Sequence, residues 1–133
     1  MSRENVEIYR RGIDAWNRGA LDDWLKTITP GWELVTGEAF PGLAQVYRGR
    51  EGALEMWDAM RGPWDSQDLH IEIERIEDLG ESAVALLTMR ARGETSGVDV
   101  SIKWAHVITD SGGDMRWRSY ATHAAALDAV GLS

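Results

Sequence analysis

The 133-residue sequence contains no cysteine, and its 22 acidic side chains outnumber its 14 basic ones. The missing cysteines exclude disulfide bonds and thiolate metal sites, although they leave the redox compartment open. The formal net charge of -8 argues against nucleic acid as a partner and against docking on anionic lipid, since both kinds of binding need clustered Lys and Arg.

Long apolar runs are missing too. No segment approaches the roughly 20 apolar residues that a membrane-spanning helix needs. The charged start, MSRENVEIYRR, lacks the apolar stretch of a secretory signal. We therefore expect no membrane interaction and a cytoplasmic location. The length suits one domain with a real core, residues 1–133.

Tryptophan is what the sequence has in excess, with seven residues against one phenylalanine. Each indole buries a large apolar area and brings one N–H donor that needs a partner. Tryptophans in such number either fill the core or line a cavity for a bulky organic ligand, and composition alone does not decide between the two.

The first half of the chain follows the period of helices. An apolar stripe predicts a helix from Arg3 that Gly19 can end, and a second apolar face predicts another helix up to Ile28. WELVT, residues 32–36, predicts a short strand, and residues 37–45 read as a loop. A third helix should follow and end at Gly62-Pro63, with a buried stripe of Ala53, Met56, Trp57 and Met60.

From Leu69 onward the apolar residues alternate with period two. Four strands are predicted, separated by short turns rich in Gly, Asp and Ser, which is typical of an antiparallel meander. A short last helix should begin after Thr122 and end at Gly131. The order predicts an α+β fold with helices on one face of a curved antiparallel sheet, enclosing a conical pocket.

Two neighbouring strands should form one wall of this pocket. Alternation places Trp104 and His106 on one face of the strand containing KWAHVIT, and Trp117 and Ser119 on one face of the next. The short strand and the helices would supply the other walls. A hydrophobic small molecule is the expected partner. The predicted ligand-binding residues are Tyr9, Trp16, Trp32, Thr36, Trp57, Trp104, His106, Trp117 and Ser119.

His106 is the histidine expected to face inward, and it is the candidate catalytic residue. A neutral imidazole near its usual pKa can take a proton or hydrogen-bond a ligand carbonyl. The alternative is a buried histidine satisfied by one backbone or hydroxyl partner. His70 alternates with glutamates on the solvent-exposed face of its strand, and His123 has no obvious partner. We therefore expect both to be structural or on the surface.

The acidic residues mostly sit in expected turns or helix starts, as Asp65 does. Glu33 and Glu38 lie near the expected mouth and would act as bases only if the strand phase were shifted by one residue. No His, Asp and Glu set has metal-ligand spacing, so no metal is expected. No cofactor motif is present either, because Gly49 and Gly52 lack the Gly-Lys-Ser/Thr ending of a phosphate-binding loop.

Three stretches resemble the NTF2-like superfamily in its SnoaL-like branch: YRGREGALEMW, WAHVITDSGGDMRWRSY and ATHAAALDAVGL. The order of the predicted elements is similar over essentially the whole chain. The resemblance implies an NTF2-like cone. It leaves the function open, since this fold hosts isomerases, dehydratases, epoxide hydrolases, polyketide cyclases and inactive proteins.

The resemblance also locates known catalytic positions. In ketosteroid isomerase-like members the carboxylate base would fall near Thr36, the oxyanion-donating tyrosine near Gly12 and the second carboxyl group at residues 104–105. The acidic base of SnoaL-like polyketide cyclases would fall at Ser119 or Thr122. None of these residues can act in that role. Steroid-isomerase chemistry is therefore not expected.

Three functions remain open. The first is an isomerase, cyclase or hydratase-type enzyme that acts on a hydrophobic small molecule with His106 as its polar group. The second is a binding protein without catalysis that uses the same pocket. The third is an interaction domain with a vestigial cavity. Relatives commonly dimerise through the convex sheet face, which implies a homodimer, with a solvated monomer face as the alternative. The outward residues expected there are Lys103, Ala105, Val107, Arg116, Arg118 and Tyr120.

Overall fold

The computed structural model describes residues 3–37, 39–64 and 68–132. Glu38 and Asp65, which the sequence pattern placed near the pocket mouth and in a turn, lie outside the described residues. Along the described chain the elements are α1 (Arg3–Asn17), α2 (Leu21–Leu25), β1 (Glu33–Val35), β2 (Val46–Arg48), α3 (Gly49–Arg61), β3 (His70–Asp78), β4 (Ser82–Arg92), β5 (Asp99–Ser111), β6 (Asp114–Tyr120) and α4 (His123–Ala129).

The strands form one sheet in the order β2-β1-β6-β5-β4-β3. Strands β3 to β6 are the expected antiparallel meander, and β1 lies parallel to β6. No strand was predicted between the expected loop at residues 37–45 and the third helix, but Val46–Arg48 pairs with β1 as strand β2. Three residues are too few for a recognisable period-two pattern of apolar residues. This strand is therefore defined by its pairing with β1 and not by its sequence.

The helix ends follow local chemistry. Gly19 has a φ of 66°, and the backbone N–H of Ala20 donates to Ala15 O at 2.9 Å, which ends α1. The second helix ends earlier than expected, at Leu25. At the chain's other end, Thr122 Oγ1 accepts a hydrogen bond from Ala125 N at 3.0 Å and caps α4, as predicted.

The main core lies between the inner face of the sheet and helices α1 to α3. It contains the inward residues of β4, β5 and β6 together with six buried tryptophans. The glycine at position 12 lets α1 approach the segment after α2, since a Cβ there would lie 3.0 Å from Thr27 Oγ1. This close approach leaves no room at residue 12 for a larger side chain unless Thr27 moves.

The expectation that all helices lie on one face of the sheet is wrong for α4. Ala126 of this helix packs in a second, smaller cluster with Val84, Leu86 and Ala105. These residues alternate along β4 and β5 with the inward ones, so α4 covers the outer face. Ala105 is therefore fully buried rather than outward and exposed, and Val107 and Tyr120 are half-buried beside it.

None of the helices in the described part of the chain has the length and apolar character that crossing a bilayer requires.

Candidate functional site

A cavity of about 30 Å³ lies between the helices and the inner face of the sheet. By that measure it has room for roughly two water molecules. Nearly all of its lining is apolar. The lining residues are Ile13, Trp16, Trp24, Leu34, Thr36, Phe40, Met56, Met60, Ile71, Trp104, His106, Trp117 and Ser119.

Six of the nine predicted ligand-binding residues line this cavity: Trp16, Thr36, Trp104, His106, Trp117 and Ser119. The other three, Tyr9, Trp32 and Trp57, are buried beside it and are not part of its lining. Tyr9 and Trp32 pack edge-on against Trp117, at 5.1 and 5.3 Å between ring centroids. Trp57 packs against Trp16, at 4.8 Å between ring centroids. All three side chains therefore pack against rings that line the cavity.

The remaining lining residues were not predicted as ligand contacts. Ile13, Trp24, Met56 and Met60 belong to helical stripes that predict burial, but periodicity cannot separate a core residue from a cavity-lining one. Phe40 comes from the loop between β1 and β2, where no periodic signal exists. Its ring lies 5.8 Å from that of Trp104.

Strand register explains why the polar lining residues meet. In the antiparallel pair β5–β6, His106 lies opposite Ser119 and Ile108 opposite Trp117. In the parallel pair β1–β6, Leu34 lies beside Trp117. Side chains at paired positions point to the same face of a sheet. One inner wall therefore carries the imidazole, the Trp117 indole and the Ser119 hydroxyl next to one another.

His106 is hydrogen-bonded on both ring nitrogens. Tyr9 Oη lies 2.8 Å from Nδ1, and Trp104 Nε1 donates to Nε2 at 3.4 Å. Because an indole nitrogen can only donate, Nε2 must hold the lone pair and Nδ1 the proton, which Tyr9 Oη then accepts. The two partners thus select one neutral tautomer.

Burial keeps both members of this pair uncharged. It lowers the pKa of His106 to about 3, because an imidazolium would lose its hydration inside the core. For the same reason burial raises the pKa of the Tyr9 phenol far above its ordinary value. At neutral pH the site therefore presents a neutral imidazole and a neutral phenol.

Several polar atoms of the inner core have no partner. The side-chain atoms Trp16 Nε1, Trp32 Nε1, Trp117 Nε1 and Ser119 Oγ are buried without a hydrogen bond to any residue the structure describes. Leaving a buried donor unsatisfied costs on the order of 1–3 kcal/mol. Trp16, Trp117 and Ser119 line the cavity, whereas Trp32 does not.

Carboxylates are absent from the cavity lining, as far as the structure describes the chain. Glu33, expected to be a base only after a shift of strand phase, instead pairs with Arg48 and with Arg116 at 2.9 Å each. Its neighbour Leu34 faces the core, so the carboxylate of Glu33 belongs to the outer face. The strand phase is the unshifted one, and Glu33 is not in the cavity.

The other two histidines lie away from the cavity. His70 is exposed. His123, for which no partner was evident, has Nε2 2.9 Å from Leu87 O and Nδ1 3.7 Å from Glu74. Within the described ranges, no group of three or more His, Asp or Glu side chains could hold a metal ion.

The cavity adjoins a surface groove of about 320 Å³ at the ends of β1 and β6. Thr36 and Ser119 belong to the lining of both. The loop that follows β1 is tied back by the Thr36 hydroxyl, which donates to Ala44 O. Thr36 and Ser119 are therefore shared by the cavity and the groove.

The model of the SnoaL-like domain family matches residues 9–120. In fold the chain is similar to an NTF2-like protein of unknown function from Burkholderia pseudomallei K96243, with 18% identity, 96% of this chain and 97% of that chain covered, and a TM-score of 0.75. It is also similar to TerC, which was co-crystallised with polyporic acid, with 17% identity, 97% and 98% covered, and a TM-score of 0.74.

A third similar structure is a protein assigned as a SnoaL-like polyketide cyclase from Jannaschia sp. CCS1, with 21% identity, 100% of this chain and 96% of that chain covered, and a TM-score of 0.70. No curated protein matches the sequence. These likenesses confirm the predicted NTF2-like, α+β fold, and the family match confirms the SnoaL-like resemblance.

Proposed function

Because the chain belongs to the SnoaL-like domain family, we propose that it is a small-molecule-binding protein that holds a small, largely apolar compound in its inner cavity. The observation that carries this proposal is the cavity wall itself. Four tryptophans line it around one buried, neutral histidine. Ligand pockets are typically apolar and aromatic, with a few polar groups that fix orientation.

In this proposal His106 is a neutral, fixed part of the cavity wall rather than a catalyst. An imidazole whose pKa lies near 3 is a weak base at neutral pH, because efficient general bases have a pKa near the working pH. Its Nε2 lone pair is engaged by Trp104. No carboxylate of the described chain lines the cavity to assist it. These features favour binding over proton transfer.

The cavity has to widen to hold more than a few atoms, since its volume is about 30 Å³. Its lining contains the residues that make this feasible. Met56 and Met60 have flexible thioether side chains that repack readily, and Phe40 is carried by a loop. A ligand the size of one substituted benzene ring is therefore the class we propose.

Binding can be tested with two probes of one shape, acetophenone and α-methylstyrene, in a ¹H–¹⁵N NMR titration. The indole signals of Trp16, Trp104 and Trp117 should shift, while that of Trp64, which does not line the cavity, should stay. If both probes leave the lining signals unchanged, the proposal fails.

A matched pair of variants locates the binding. Ile13→Phe places extra volume in the cavity lining and should weaken binding of both probes at least several-fold. Ile8→Phe makes the same change on the same helix, at a position that packs against the core but does not line the cavity. Equal weakening by both variants would contradict the proposed location.

The second candidate is an enzyme of isomerase, cyclase or hydratase type. The hydrogen bond from His106 to Tyr9 favours it, since catalytic imidazoles are oriented by such partners. Acid–base chemistry at the cavity should accelerate deuterium exchange at the methyl group of acetophenone in D₂O above the buffer rate. His106→Gln should abolish the acceleration and keep binding. If the wild-type protein does not accelerate the exchange, the enzyme candidate fails and binding without catalysis remains the proposed function.

We also propose that the protein forms a homodimer through the outer face of the sheet. The half-buried Val107 and Tyr120 and the exposed Arg116 and Arg118 support this, although α4 covers part of that face. Sedimentation velocity should show a dimer, and a monomer at all concentrations would contradict it. The cytoplasmic location and the single domain stay predictions.

A further inference from the structure

Three tryptophans from three helices pack against one another on the helical side of the cavity. The ring centroid of Trp16 in α1 lies 5.8 Å from that of Trp24 in α2 and 4.8 Å from that of Trp57 in α3. Trp24 and Trp57 are 5.0 Å apart. Trp16 and Trp24 line the cavity, whereas Trp57 does not. The positions of these three rings therefore set the shape of the cavity on its helical side.

The guanidinium of Arg61, at the end of α3, lies over two of these rings. Its Cζ atom is 5.0 Å from the ring centroid of Trp16 and 4.7 Å from that of Trp57, within the range of cation–π attraction. Its Nη1 donates a hydrogen bond to Trp16 O at 2.7 Å. Arg61 does not itself line the cavity. Any effect of this side chain on a ligand therefore has to pass through the tryptophans.

The charge of Arg61 is balanced without a carboxylate. None of the ion pairs in the described part of the chain includes this residue, and burial lowers the pKa of its guanidinium. Trp16 O is one of the last carbonyls of α1, where the helix dipole is negative. Because α1 has no basic residue in its own last turn, Arg61 supplies from α3 the cation that this helix end lacks.

The contacts of Arg61 matter for Trp16 because little else orients that ring. Trp16 Nε1 has no hydrogen-bond partner among the residues that the structure describes, so the indole is held by packing and by Arg61. A guanidinium is flat and can lie over an aromatic ring while it donates in its own plane, which an ammonium group cannot do. Lysine would keep the charge at position 61 but lose this combination of contacts.

We propose that Arg61 is the positioning residue of the helical wall, and that its guanidinium holds Trp16 and Trp57 in the arrangement that gives the cavity its affinity for a ligand. This inference rests on the proposed function and adds to it a residue outside the cavity that controls binding. The alternative is that Arg61 only ties the ends of α1 and α3 together and contributes to stability alone.

Ligand titration with acetophenone and α-methylstyrene tests the effect on binding. Arg61→Met removes the charge and the N–H groups, and it should weaken binding of both probes by about 3- to 10-fold, within the range of couplings between residues in contact. Arg61→Lys should weaken binding as well, because the flat group is lost. Arg50→Met is the matched control on the same helix, at an exposed position outside the cavity lining. It should leave both affinities unchanged within about twofold.

The indole N–H signal of Trp24 in a ¹H–¹⁵N spectrum gives a second measurement that needs no ligand. The Trp24 ring contacts those of Trp16 and Trp57, and neither cation–π contact of Arg61 involves it. A change in this signal therefore reports a movement of the neighbouring rings. We expect the signal to shift in Arg61→Met and to stay in the control variant.

A purely structural role would give a different result. A folded Arg61→Met protein with wild-type affinities and an unchanged Trp24 signal would overturn the inference, even if urea denaturation shows a lower free energy of unfolding. Equal weakening of binding by Arg50→Met would overturn it too. If Arg61→Met does not fold, the same two measurements on Arg61→Lys decide. Failure of the wild-type protein to bind either probe would overturn the proposed function, whereas the Trp24 signal would still show whether Arg61 positions the rings.

Discussion

The two faces of the central sheet use the same strands and are packed in different ways. On the outer face small aliphatic side chains, such as Val84 and Ala105, are closed off by Ala126 of α4. On the inner face large aromatic rings surround a cavity and leave polar atoms without partners. Thr88 Oγ1, which alternates with inward residues of β4, is the corresponding unpartnered atom on the outer side.

The difference separates the face of the sheet that only stabilises the protein from the face that, in our proposal, also binds a ligand. A buried polar group without a partner lowers stability, so native proteins keep few of them. Here the described chain concentrates them on the inner face, around Trp117. Among the described residues, the outer face holds one such atom, Thr88 Oγ1. We therefore assign the outer face to stability and the inner face to binding.

The largest predicted effect comes from removing an inner aromatic ring. Trp24→Ala should lower the free energy of unfolding by about 3–5 kcal/mol, because Trp24 is 2% exposed and its loss leaves a large void. Leu86→Ala on the outer face should cost about 2–3 kcal/mol. Urea denaturation measures both. A larger cost for Leu86→Ala would reverse the comparison of the two faces.

Two Tyr→Phe substitutions test the comparison of the two faces, because each removes a single hydroxyl group. Tyr9→Phe leaves His106 Nδ1 without its partner at 2.8 Å and should lower the free energy of unfolding by about 1–3 kcal/mol. Tyr120→Phe on the outer face is the control, with an expected change within about 0.5 kcal/mol. If the two variants unfold at the same urea concentration, the buried pair does not contribute as described.

The pH dependence of stability probes the same histidine. The pKa of His106 falls from 6.5 to about 3 in the folded state, so the unfolded chain binds the proton more readily below pH 6.5. The contribution of His106 is therefore fully present above pH 6.5 and is lost as pH falls towards 3. Between pH 7.5 and 5.5 the wild-type protein should lose about 1.4 kcal/mol more than His106→Gln. Equal losses in urea titrations of both proteins would contradict a neutral, buried His106.

The smallest predicted loss of stability comes from disrupting the ion pairs on the outer face of the sheet. Glu33 contacts Arg48 and Arg116, whose side chains are 73% and 61% exposed. Glu33→Gln should therefore cost less than about 1 kcal/mol, and the cost should shrink in high salt. A salt-independent loss well above this, seen by thermal denaturation, would give the outer face a larger role than we assign to it.

Much of the fold could be predicted from the sequence. The period-two pattern from Leu69 gave the meander, and alternation placed His106, Trp117 and Ser119 on one wall because the period of a strand is fixed. Strand β2 and the position of α4 could not be predicted. The first is made by pairing with β1, and the second depends on which face of the sheet the last turn reaches.

The candidate site was predictable only in part. The pattern indicated which aromatic residues are buried, but not that Trp16 lines the cavity while Tyr9 and Trp57 lie behind it. That distinction depends on side-chain packing across elements far apart in the chain. The partners of His106 are likewise invisible in the sequence, since Tyr9 is 97 residues away. The unpartnered indoles can be recognised only once every hydrogen bond has been assigned.

A crystal structure of the protein with acetophenone tests the central claim most directly. We predict the ketone inside the cavity, in contact with Trp16, Trp104 and Trp117. A ketone bound elsewhere, or no bound ketone, would contradict the account.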